Sequence, residues 1–216
     1  MFSTEQVRHQ KNAKVWYNNS FRGRISGLNG LVQLRGLGRR TMLTEQQEKF
    51  IASLLPEAIA HVQRYDPQTM TVAGDFCEDL QKSLPYAAIH YFGSTRLGIS
   101  GENDIDIGII AGERVVAYLS TLTSRFGEPY ISEHGAVYRW KITNQKFPID
   151  VFLVEKPTER IQESLDTQQI LEARGDLRTQ FEKIKQSCNG KSLRDYTRAK
   201  FEFFNTVLHP HMENSS

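Results

Sequence analysis

The sequence predicts an α+β fold, a mixed β-sheet core flanked by helices and followed by a helical C-terminal tail. Three observations predict it. Short apolar runs broken by glycine, proline or asparagine recur between Ala87 and Val154. Segments with apolar residues at helical spacing precede and interrupt those runs. After Val154 the pattern is helical throughout. Hydrophobic residues at 39% and charged residues at 24% are those of a soluble globular protein. A chain of 216 residues can bury a core as one domain, or as one domain with an appendage.

Taken in order, Thr44 with Gln47 forms a capping box. Phe50, Ile51, Leu54, Leu55, Ile59 and Val62 follow at helical spacing, with a kink or restart at Pro56. A weaker helical stretch covers Gln68 to Ser83. Ala87 to Phe92 reads as a buried strand that Gly93 breaks, and Thr95 to Leu97 as the start of a short helix. Asp104 to Ile110 is a second strand. Glu113 to Phe126 is a helix with Val116, Leu119 and Leu122 on one side and Gly127 as its stop. A strand near Tyr130 precedes two longer ones, Ala136 to Ile142 and Phe147 to Val154, joined through Thr143-Asn144-Gln145-Lys146 as a hairpin. Pro157 and Gly175 bound one further helix. Asp176 caps the next, which holds Leu177, Phe181 and Ile184, and Ser192 caps the last, with Leu193, Tyr196, Phe203 and Val207 as its stripe. The tail from His209 is expected to fray.

The formal charge of +2 hides an asymmetry. Residues 1–43 hold eight Lys/Arg and one acid, Glu5, which leaves 19 basic and 24 acidic residues for the remainder. Trp16, Tyr17 and Phe21 are interleaved with the cations of this arm. Such a segment can grip RNA by backbone charge and base stacking. It can equally be a solvated extension or a transit peptide. Cys77 and Cys188 lie far apart, form no CxxC pair, and read as two thiols in a reducing compartment. Met1 to Gln10 lacks the apolar segment of a secretory signal, and no apolar run reaches membrane-spanning length, so a cytoplasmic protein with no membrane partner is expected.

The chemistry concentrates between residues 91 and 154. Tyr91-Phe92-Gly93-Ser94-Thr95-Arg96-Leu97-Gly98 leaves an apolar run through a Gly-Ser turn, and Asp104-Ile105-Asp106 follows. Strand residues i and i+2 share a face, so Asp104 and Asp106 project together while Ile105 and Ile107 point away. Two such anions repel unless a cation lies between them. Hard oxygen donors select Mg²⁺ or Mn²⁺ over zinc. Asp150, in the run Phe147 to Val154, supplies a third acid if its strand lies alongside, enough for two metals about 4 Å apart. Glycine lets a phosphate approach the backbone at Gly93, and Ser94 adds a hydroxyl donor. Arg96 pairs either with a phosphate or with an acid such as Glu102. Arg139 and Lys141 share one side of the strand before Asp150, as a solvated hairpin face or as contacts to triphosphate or acceptor. His134 lies just upstream as an acid/base candidate.

Gly93-Ser94, the spacer, Asp104-x-Asp106 and the distant Asp150 resemble the signature of the DNA polymerase β-like nucleotidyltransferase superfamily. The loop Gly-Ser-Thr-Arg-Leu-Gly looks most like those of poly(A) polymerases and terminal uridylyltransferases. Phe181-Glu182-Lys183-Ile184-Lys185 and Tyr196-Thr197-Arg198-Ala199-Lys200 are similar to segments of GrpB-like proteins, a branch of the same superfamily. The resemblance covers about residues 85–155 and implies a nucleotidyltransferase core, taken as 44–156, with a helical C-terminal extension of the same domain over 157–208; the charge asymmetry sets the basic arm at 1–43. It implies Mg²⁺- or Mn²⁺-dependent transfer of NMP from an NTP, ATP above others, to an acceptor hydroxyl such as one of RNA. Asp104, Asp106 and Asp150 then serve as metal ligands and catalytic acids. Gly93, Ser94, Arg96, Lys183, Tyr196 and Lys200 serve as nucleotide contacts. The alternatives are nucleotidylylation of a small molecule or protein, of antibiotic-modifying or toxin–antitoxin type, and a nucleotide- or RNA-binding module without turnover.

Overall fold

The computed structural model describes residues 43–132, 137–143 and 145–210. The basic arm, except Leu43, and His134 lie outside the described residues, as does the tail beyond Pro210. The helices are α1 (Glu45–Ser53), α2 (Gln68–Ser83), α3 (Val115–Phe126), α4 (Glu159–Ala173), α5 (Gly175–Ser187) and α6 (Leu193–Phe203). The strands are β1 (Ala88–Phe92), β2 (Ile105–Ile110), β3 (Tyr130–Ser132), β4 (Val137–Ile142) and β5 (Ile149–Val154). They form one five-stranded sheet in the order β1-β2-β5-β4-β3. The pair β2–β5 is parallel and the other pairs are antiparallel, so the sheet is mixed.

Strand alternation decides what each face covers. Ile105, Ile107 and Ile109 of β2 join Ile149, Val151 and Leu153 of β5 in a core completed by Ala73 and Leu80 of α2 and Tyr118 and Leu122 of α3. On the opposite face Val137, Phe152 and Val154 pack with Ile161 of α4 and with Phe92 and Ile110. The C-terminal helices continue the same body: Phe181, Phe203 and Leu208 pack with Leu97 and Ile99 of the loop between β1 and β2. Phe201 of α6 packs with Phe50, Ile51 and Leu54 from the α1 end of the chain.

The expected α2, Gln68 to Ser83, is reproduced residue for residue. The capping box at Thr44 forms as read, with Gln47 N–H donating to Thr44 Oγ1 at 3.1 Å and Thr44 N–H to Gln47 Oε1 at 2.9 Å. Four local readings are corrected. The first helix ends at Ser53 and does not resume, because Leu54 is extended (ψ 144°) and Ile59 instead bridges to Ser192. The stretch after Ser94 is a hydrogen-bonded turn with Leu97 N–H to Gly93 O at 3.2 Å, and no helix starts there. Val116 is 75% exposed, since a 3₁₀ turn at Gly112–Arg114 precedes α3 and leaves Tyr118 and Leu122 facing inward. The cap position of α5 is Arg174, and Asp176 lies inside the first turn. No helix among the described residues is long and apolar enough to cross a membrane.

Candidate active site

The parallel pairing of β2 with β5 brings the three acids together. Asp106 and Asp150 are register partners, and Asp104 precedes β2 by one residue. One carboxylate oxygen from each of Asp104, Asp106 and Asp150 lies within 4.8 Å of the others. Asp104 and Asp106 are half-buried, and Asp150 is buried in a strand with no exposed position. Oδ2 of Asp150 accepts a hydrogen bond from Nη2 of Arg139 at 2.8 Å, and both side chains are almost wholly shielded from solvent. Oδ1 of Asp150 is buried with no hydrogen-bond partner among the described residues. A buried anionic oxygen left in that state is costly, and a divalent cation would satisfy it. The donor set, three carboxylates without nitrogen or sulfur, suits Mg²⁺ or Mn²⁺. Arg139 thus lies on the acidic face of the sheet, and the solvated-hairpin reading does not hold for it.

Gly93 follows Phe92, the other register partner of Asp106. Its φ is +91°, and a Cβ there would stand 2.8 Å from Oδ2 of Asp106. Its N–H donates to Oε1 of Gln168 on α4 at 3.1 Å. The glycine is therefore required to make room for the carboxylate, and its N–H is already engaged. Gly93→Ala is expected to displace Asp106 and to lose about 1–2 kcal/mol of stability from the backbone alone. A thermal melt and a Mn²⁺ titration check the two halves of that expectation.

The rest of the loop is held from three directions. Thr95 Oγ1 donates to the Asp104 carbonyl at 2.8 Å. Gly101 and Gln63 exchange backbone hydrogen bonds of 2.7 and 3.0 Å. Ser100 donates both its N–H and its hydroxyl to Glu182 of α5 at 2.8 Å. Arg96 Nε meets Glu172 of α4 at 3.1 Å, and Glu172 also accepts from Gln168 at 2.9 Å.

Ser94 has a partner that sequence reasoning missed. Lys185 Nζ of α5 donates to Ser94 Oγ. A Cβ on Gly101 would come within 2.7 Å of Ser94 Cβ and 3.0 Å of Lys185 Nζ, so this contact is tightly enclosed. Burial pushes the Lys185 ammonium down to about 7; Lys200 adds to the effect, and Asp104, Glu102 and Asp106 oppose it. Leu177, Phe181 and Lys185 are the buried positions of α5, at i, i+4 and i+8. A cation that continues an apolar stripe is the signal that was available in the sequence. Lys183 is exposed, at roughly 200° around the helix from Lys185. Tyr196 is buried with Ala60 and Cys188 in a small core cluster, and Lys200 Nζ lies 5.1 Å over its ring.

The profile of the GrpB protein family matches residues 59–209. The conserved protein GrpB from Enterococcus faecalis has a similar structure, with a TM-score of 0.50 and 17% identity over 71% of this chain and 90% of that one. The Cid1 poly(U) polymerase superposes with a TM-score of 0.41 and 15% identity, over 65% of this chain and 45% of the polymerase. A search of curated proteins finds no match to the sequence. The family match spans every site residue described above, and the chain belongs to the GrpB family.

Proposed function

We propose that this chain is a metal-dependent nucleotidyltransferase that moves NMP from an NTP to an acceptor hydroxyl. The observation that carries the reading is the juxtaposition of three carboxylates, one with an orphaned buried oxygen, and a buried lysine on the Ser94 hydroxyl. Acids alone would be a metal site, and a lysine–serine pair alone a phosphate contact. Together they match a triphosphate with its divalent counter-ion.

Asp104, Asp106 and Asp150 would hold Mg²⁺ or Mn²⁺, which supplies charge stabilisation at the triphosphate. Ser94, Lys185 and Lys200 bind the β- and γ-phosphates, and Lys185 takes the role expected of Lys183. Gln168, Glu172 and Arg96 hold the loop so that Ser94 stays in place. The acceptor oxygen bonds to the α-phosphorus, the bond from that phosphorus to the β-bridging oxygen breaks, and pyrophosphate carries away the electron pair. The hydroxyl proton leaves to solvent. ATP is the first donor to test. The acceptor is RNA if the basic arm grips nucleic acid, and a small molecule or protein otherwise.

The deciding experiment incubates the full-length chain with each labelled NTP, Mg²⁺ and total cell extract. Labelled RNA, protein or metabolite names the acceptor. NTP binding that is independent of Mg²⁺, with no pyrophosphate released, would replace the enzyme with a binding module.

A further inference from the structure

Asp150 presents two unlike oxygens. Oδ2 is bound to Arg139 at 2.8 Å, while Oδ1 has no hydrogen-bond partner among the described residues. The arginine is itself fixed. Its guanidinium lies 4.8 Å over the Phe152 ring and 5.4 Å over the Tyr130 ring, and its side chain is 5% exposed. Guanidinium keeps its charge at any working pH and presents its donors in a rigid plane. Lys141, the register partner of Asp150 on β4, is half-buried.

We propose that Arg139 is a positioning residue that divides the Asp150 carboxylate, holding Oδ2 so that Oδ1 alone is presented to a cation shared with Asp104 and Asp106. This rests on the metal site of the preceding reading. A ligand limited to one oxygen leaves more of a hard cation's coordination positions to substrate and water. The buried guanidinium also repels that cation. Arg139 therefore weakens metal binding while it makes the bound arrangement productive. An arginine that merely supported the fold would have the opposite sign: without it the acids would scatter and metal would bind less well.

The sign is the test. Mn²⁺ is titrated into the full-length protein without nucleotide, and free Mn²⁺ is read by electron paramagnetic resonance. Arg139→Gln is expected to bind Mn²⁺ about tenfold more tightly than wild type. Its melting temperature falls without metal and recovers with saturating Mn²⁺. In transfer assays with Mg²⁺, kcat falls while KM for NTP holds, and Arg139→Lys restores wild-type Mn²⁺ affinity and part of kcat. Should Arg139→Gln not fold, the pair Arg139→Gln/Asp150→Asn, with both charges removed, is compared with Asp150→Asn alone; the double variant is expected to bind Mn²⁺ more tightly. Mn²⁺ affinity equal to or below the reference protein in these comparisons overturns the role of Arg139. A wild-type protein that binds no Mn²⁺ overturns the metal site itself.

Discussion

Replacing Asp104 and Asp106 together by alanine is expected to abolish NMP transfer, with a loss of at least about a thousandfold, while the fold survives. Both carboxylates are half-buried, Asp106 on β2 and Asp104 one residue before it, and neither belongs to the apolar core. Removing two like charges whose oxygens gather within 4.8 Å relieves repulsion but also removes the attraction of both acids for the buried Lys185, so thermal stability should change little. Activity should be lost, because two of the three oxygens gathered for the cation are gone. Pyrophosphate release and a thermal melt on the same preparation check both halves. Turnover that persists in the double variant would remove the catalytic assignment. Lost turnover with a collapsed melt would leave it undecided, and Asp104→Asn/Asp106→Asn then separates charge from shape.

Lys185→Met is expected to trade function for stability. The ammonium is buried at 2% exposure and displaced to about 7. Relative to an unfolded lysine, that is a penalty on the order of 4 kcal/mol at neutral pH. Methionine has similar length and carries no such penalty, although Ser94 loses its partner. The sign with pH follows. The folded protein binds fewer protons at this site than the unfolded chain between about pH 7 and the ordinary lysine value of 10.5. Stability therefore rises with pH through that window, and below about 7 the full penalty is present. Thermal melts from pH 7 to 9.5 should show a rise in wild type that flattens in Lys185→Met. NTP affinity should fall at least tenfold in the variant if Lys185 faces the phosphates as proposed, because that group has lost its charge.

The acids were legible because their signal is local. A period of two along β2 places Asp104 with Asp106, and an apolar run marks β5 as a strand beside it. The fold class was legible for the same reason, and so was α2, whose amphipathic stripe ends just before Pro85. The errors have physical causes as well. Ile59 and Val62 keep helical spacing, yet their backbone is taken by pairings with the start of α6 and with Asn189. The side chains that complete the site were not legible, since their partners are far away in the chain. Arg139 read either as a solvated hairpin residue or as a contact to triphosphate or acceptor, and its hydrogen bond to Asp150, diagonal to it across β4 and β5, was not legible. Lys183 came from a sequence resemblance, while helical phase buries Lys185 in the same helix, against Ser94.

The Gly-Ser loop leaves β1, yet it is gripped from much later in the chain: Gly93 by Gln168, 75 residues on, and Ser94 by Lys185, 91 residues on. A nascent chain that has emerged as far as Lys156 already contains every acid of the triad and neither of these grips. Nucleotide affinity would then be acquired late in synthesis, after α4 and α5 have emerged and docked. Contacts of such sequence separation also slow folding, because a long loop must close before they form. On the proposed reading, a molecule truncated before α5 would keep its three carboxylates and lack the Lys185 contact that holds Ser94.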